Sequence, residues 1–180
     1  MEESREFKIH VESLELTYIQ FVLDQTLHKK VADGLYTKFR PVWDILLLST
    51  ECAYIVGLEK ILEKKEFEKI ISNDQGPKGI RAKVKDLRDN FFAHLNTREM
   101  RNPKIFFEKN ALGVDERWNL FNKIIGFVHQ YNEKLGYTED IKQIFDRLKE
   151  DTQIKCTEWV DFMNSRIKDQ AGMRSHEKEQ

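Results

Sequence analysis

From Ile141 to Ile167 one stripe runs through Ile141, Phe145, Leu148, Thr152, Cys156, Trp159, Met163 and Ile167, returning every three or four residues. That period belongs to an α-helix; a strand would alternate its faces every second residue. A helix of nearly four heptads can overhang the body it packs on and meet a partner. Similar spacing recurs along the rest of the chain, and only 8 Gly and 3 Pro interrupt 180 residues. The expectation is an all-α fold, an up-and-down helical bundle of four to five main helices. A chain of this length buries about 70% of its unfolded surface, enough for one core without covalent staples. One domain is read over residues 1–168, followed by a charged tail, 169–180, expected to be disordered.

In order, a first helix is predicted from Phe7 to Ala32, with Val11, Leu14, Tyr18, Phe21 and Val22 on its apolar face. Asp33-Gly34 offers a left-handed stop, and Thr37 can cap a second helix from Lys38 to Lys65, with Pro41 in its first turn. That helix carries the most apolar run, Val42 to Leu48, and should be central. Asp44 and Glu51 interrupt it, which argues against a membrane span; their carboxylates could instead face a cleft or pair with a base, and no role is assigned to either. Ser72 to Gly79 gathers turn formers ahead of a third helix. After Gly113, Asp115 caps a fourth helix that Gly136 ends, and Thr138 caps the last. Between Asn96 and Gly113 the periodicity fails. There Ile105-Phe106-Phe107 fits a strand, a helical turn or a docking edge equally well.

Cys52 and Cys156 are far apart on apolar faces and read as buried thiols. With an acidic N-terminus where a signal peptide would be basic, they indicate a cytoplasmic protein. His129 has no second ligand at metal-binding spacing and reads as a surface histidine. No glycine-rich phosphate loop, nucleophile elbow or CxxC pair is present, and neither metal nor cofactor is expected. The formal net charge is −1, yet Lys78 to Lys109 holds nine Lys/Arg against four acids. Such a basic zone suits a phosphodiester ligand, although a solvated helix face would look the same.

The third helix, Ile80 to Asn96, lies inside that zone. Ile80, Val84, Leu87, Phe91 and Leu95 share one face, with Arg88 on one border of the stripe and His94 on the other. Along the axis the two are about 9 Å apart, with about 120° of rotation between them. A second copy of the helix could complete a site that one copy cannot. Asn90, one turn before His94, can hold a ring nitrogen and select the tautomer. Asp89 follows the arginine and points away from the stripe.

Arg88-Asp89-Asn90-Phe91-Phe92-Ala93-His94 resembles the signature of the HEPN superfamily: an arginine, a polar residue, then a histidine a few positions on. Leu87 and Ala93 look like its abortive-infection branch. The resemblance implies a homodimer with both Arg–His pairs in one cleft, a defence or toxin role in a bacterium, and a neutralising antitoxin-like partner. It also implies a metal-independent endoribonuclease with Arg88 and His94 catalytic and Asp89 and Asn90 supporting.

The chemistry follows from the residue types. RNA carries its own nucleophile, the 2′-hydroxyl, and an imidazole with a pKa of about 6.5 exchanges protons at neutral pH. An arginine fork matches the oxygens of a phosphorane. Arg81, Lys85, Arg98 and Arg101 would contact substrate phosphates. Products would be a 2′,3′-cyclic phosphate and a 5′-hydroxyl, from single-stranded or loop RNA. The alternative is a non-catalytic HEPN-like interaction or nucleotide-binding module that partners a nucleotidyltransferase or other protein; a plain helical scaffold is a third reading.

Overall fold

The computed structural model describes the backbone of residues 2–30, 33–74, 79–95 and 114–176, and within these the side chains of 5–30, 43, 45–72, 74, 79–89 and 114–166. It is helical throughout, with no strand among the described residues. The elements are α1 (Glu2–Lys30), α2 (Asp33–Leu62), α3 (Lys65–Ile70), a 3₁₀ turn (Ser72–Asp74), α4 (Ile80–Leu95), α5 (Val114–Lys134) and α6 (Ile141–His176). α1 packs against both α2 and α6, α4 lies on α2, and α5 lies on α6. No helix among the described residues is long and apolar enough to cross a membrane.

The core draws one stripe from each long helix. Leu14, Tyr18 and Phe21 of α1 meet Tyr54, Ile55 and Leu58 of α2, Phe121 and Ile124 of α5, and Phe145 of α6. Rings of Phe21 and Phe121 stack at 4.4 Å between centroids, and Tyr18 meets Phe145 edge-on at 5.1 Å. Burying each such side chain stabilises the fold by about 1.5–3 kcal/mol. α1 packs tightly on α2 at Gly57, where an added Cβ would lie 2.7 Å from Thr17 Oγ1. A smaller cluster of Leu27, Trp43, Leu47, Cys156 and Val160 closes the far end, with Cys156 a buried free thiol as its apolar setting predicted.

Several helix ends differ from the sequence reading. α2 starts at Asp33, so Asp33-Gly34 opens that helix instead of stopping α1. Residues 31–32, between the helices, lie outside the described residues. Pro41 therefore sits inside α2, beyond the first turn where its missing N–H is harmless. At the other end α2 stops at Leu62, short of the predicted Lys65, and Lys65–Ile70 folds into a separate short helix, α3. Phe67, Ile70 and Ile71 are 0%, 8% and 2% exposed, and their burial is what pulls that short helix back onto the bundle.

Gly136 ends α5 as expected, with φ 78°, and the Tyr137 amide donates back to the Asn132 carbonyl at 3.1 Å. Asp115 lies within the first turn of α5 instead of capping it, where its charge still opposes the helix dipole favourably. Asp140, not Thr138, caps α6: its Oδ1 accepts the Gln143 amide at 3.2 Å. α6 also turns a different face inward along its second half. Cys156 and Val160 are buried while Trp159 is 43% exposed. The surroundings change there, from the α1–α5 core to Leu27 at the end of α1 with Trp43 and Leu47 of α2. The helical backbone runs on to His176, into the stretch 169–180 read as a charged tail.

Candidate functional site

α4 is held at three points. Its buried stripe of Ile80, Val84 and Leu87 lies on α2 as the wheel predicted, at 1%, 1% and 4% exposure. Its first turn is closed by Asp74 of the 3₁₀ turn, whose Oδ2 accepts the Ile80 amide at 3.1 Å. Asp74 Oδ1 meets Lys123 Nζ of α5 at 2.6 Å. The Lys123 hydrogen bond, chiefly, holds the Asp74 carboxyl below its ordinary range. A carboxylate therefore occupies the helix N-terminus that would otherwise attract an anion.

The third point is Arg88. Its Nη1 pairs with Glu59 Oε1 on α2. On the other edge of the fork, Nε donates to Asp89 Oδ1 at 2.8 Å and Nη2 lies 2.6 Å from the same oxygen. The Asp89 hydrogen bond, with Glu59 beside it, raises the guanidinium pKa further. Asp89 is exposed, off the buried stripe as the wheel placed it, although successive helix residues do not face each other. The arginine stem is long enough for its head to return to Asp89.

Arg88 opens on a groove of about 370 Å³, lined by Glu59, Leu62 and Glu63 on one side and by Arg81, Val84, Lys85 and Arg88 of α4 on the other. Lys85 is exposed there, and Arg81 pairs with Glu68 of α3. Two of the four expected phosphate contacts, Arg81 and Lys85, thus share one groove with Arg88, but carboxylates already hold both arginines. The side chains of Asn90 and His94 lie outside the described residues, although the α4 backbone continues through both positions. Arg98 and Arg101, and the whole 96–113 segment, lie outside the described residues as well.

His129, expected at the surface, is instead largely covered, its side chain 19% exposed, 3.6 Å from Glu133 and 3.9 Å from Asp140. No group of three metal-ligating side chains occurs among the described residues.

In a second ionised cluster the sequence offered only that Glu51 could pair with a base, and the structure supplies that base and the rest. Asp24 of α1 and Glu51 of α2 are 0% and 4% exposed. Arg117 of α5 donates from Nη1 to Glu51 Oε1 at 2.8 Å and to the Tyr54 hydroxyl at 2.6 Å. Asp24 accepts from Thr50 at 3.0 Å and from Gln25 at 2.9 Å, with His28 Nε2 3.6 Å away. Burial pushes the Asp24 carboxyl up to about 6 and raises that of Glu51, and it lowers the His28 imidazole. Burial also works against the Arg117 charge, but Tyr54 and Glu51 outweigh it. Sealed from solvent, the two carboxylates join helices and do not offer themselves to a ligand. The only sequence signal was a charge inside an apolar run, as at Glu51, with nothing to say where its partner lay.

Comparison of the chain with protein-family models, curated proteins and solved structures finds no match.

Proposed function

We propose that this chain is a metal-independent endoribonuclease of HEPN type, a cytoplasmic defence or toxin component that cuts single-stranded or loop RNA as a homodimer. The observation that supports it best is the placement of Arg88: at the border of the buried α4 stripe, opening on a groove it shares with Arg81 and Lys85. With the Arg88-to-His94 spacing on the same helix, this supplies a phosphate-binding fork and a proton-transfer group within one strand's reach. In that reading His94 takes the 2′-hydroxyl proton as the 2′-oxygen attacks phosphorus. The bond to the 5′-oxygen breaks, and a second imidazole, from the dimer partner, protonates the leaving oxygen. Arg88 carries the charge that builds on the phosphorane.

The test is incubation of labelled RNA with the protein in EDTA, beside Arg88→Ala and His94→Ala. The expected products carry 2′,3′-cyclic phosphate and 5′-hydroxyl ends; intact RNA, or equal cutting by the variants, refutes the assignment.

The pairing of Arg81 with Glu68 and of Arg88 with Glu59 and Asp89 favours a second reading. Here the groove is a charged docking surface of a non-catalytic module for a protein partner such as a nucleotidyltransferase. In that case expression is harmless to a host and no RNA is cut between about pH 6 and 8.

A further inference from the structure

Arg88 can present a bidentate edge to a phosphate in two ways, through Nε with Nη2 or through Nη1 with Nη2. Both are already engaged. Asp89 holds Nε and Nη2, and Glu59 holds Nη1. The two carboxylates are not equivalent. Glu59 comes from α2, and its side chain is 20% exposed. Asp89 comes from the same helix as Arg88, and its side chain is 53% exposed.

We propose that Asp89 is an internal counter-ion standing on the substrate edge of Arg88, which the linked phosphodiesters of a polynucleotide displace, while Glu59 anchors the opposite nitrogen to α2. The proposal rests on the reading of the groove as a nucleic-acid site. A single phosphodiester brings the same charge as the carboxylate it replaces and gains little by the exchange. A strand also places neighbouring phosphates near Lys85 and Arg81, and the linked contacts shift the exchange in its favour. Asp89 thus sets specificity by excluding isolated phosphate and admitting a polymer.

The experiment measures binding of a fluorescein-labelled 2′-O-methyl oligonucleotide, which cannot be cleaved, with inorganic phosphate as a separate competitor. Proteins are the wild type, Asp89→Asn, Asp86→Asn, Arg88→Ala and the Asp89→Asn/Arg88→Ala double variant. Asp86 is exposed on α4, one turn from Asp89, so its variant reports the same change of charge without contact with the fork. The expected result is at least fivefold tighter binding by Asp89→Asn and less than twofold change for Asp86→Asn. No gain is expected from Asp89→Asn in the Arg88→Ala background, and inorganic phosphate should compete measurably only with Asp89→Asn.

Unchanged or weaker binding by Asp89→Asn, or a gain that survives loss of Arg88, overturns the proposal and leaves the nuclease reading standing. Absence of binding by every protein at low salt overturns both. A gain confined to Asp89→Asn, combined with intact RNA in the cleavage assay, upholds the counter-ion role and removes the nuclease.

Discussion

Asp24 Oδ1 accepts the Thr50 hydroxyl at 3.0 Å across the α1–α2 contact, and Asp24 is wholly shielded from solvent. A carboxylate in that position is stabilised by its donors yet penalised by burial, and burial dominates, lifting its pKa from 3.8 to about 6. Proton binding to the native state is therefore stronger than to the unfolded chain. The stability this group contributes is full below about pH 4 and is lost as pH rises through about 6.

Asp24→Asn, which never ionises, should gain on the wild type across that window, by up to about 3 kcal/mol, and hold a constant difference above it. Denaturant unfolding of both proteins at several pH values from 4 to 7 checks this. Parallel stability curves would show that Asp24 does not titrate there.

Arg117→Leu strands the Glu51 carboxylate and the Tyr54 hydroxyl, both of which it holds. A loss of about 3–5 kcal/mol is expected, since a lone buried charge is left behind. Adding Glu51→Leu should restore much of it, because an apolar pair of similar size avoids the desolvation that the ion pair suffers. Urea midpoints of the two single variants and the double variant decide the matter; additive losses would contradict direct coupling.

Asp140→Ala removes the side chain that receives the Gln143 amide at the start of α6. It should lower stability by about 0.5–2 kcal/mol, while Thr138→Ala does nothing measurable. Thermal melts that rank the two in the opposite order would return the cap to Thr138.

Arg88→Lys keeps the charge but loses the planar fork that meets Glu59 and Asp89 together. If the groove is the ribonuclease site, its cutting rate should fall by at least about tenfold, with helical content unchanged by circular dichroism. Full activity in the lysine variant would mean that only charge is needed.

Much of the scaffold was legible because helical periodicity is local. The Ile80–Val84–Leu87 stripe, the Tyr18–Phe21 face and the Gly136 stop each depend on residues within a few turns of one another. Helix starts were harder to read. Thr138 and Asp140 are both competent caps, and packing of Ile141 at 1% exposure places Asp140 at the helix start. α3 was hidden among Glu and Lys because its apolar residues are few and acquire meaning only against the core.

The order of the sequence determined by itself that this chain is helical, where its amphipathic faces lie, and that Arg88 borders one of them. Tertiary structure alone decided which carboxylate of another helix Arg88 meets: Glu59 lies 29 positions away, and Arg117 reaches Glu51 across 66. Hydrophobic spacing is written in neighbouring residues, whereas the partner of a charge depends on which helices lie side by side. That choice is made by the whole core at once.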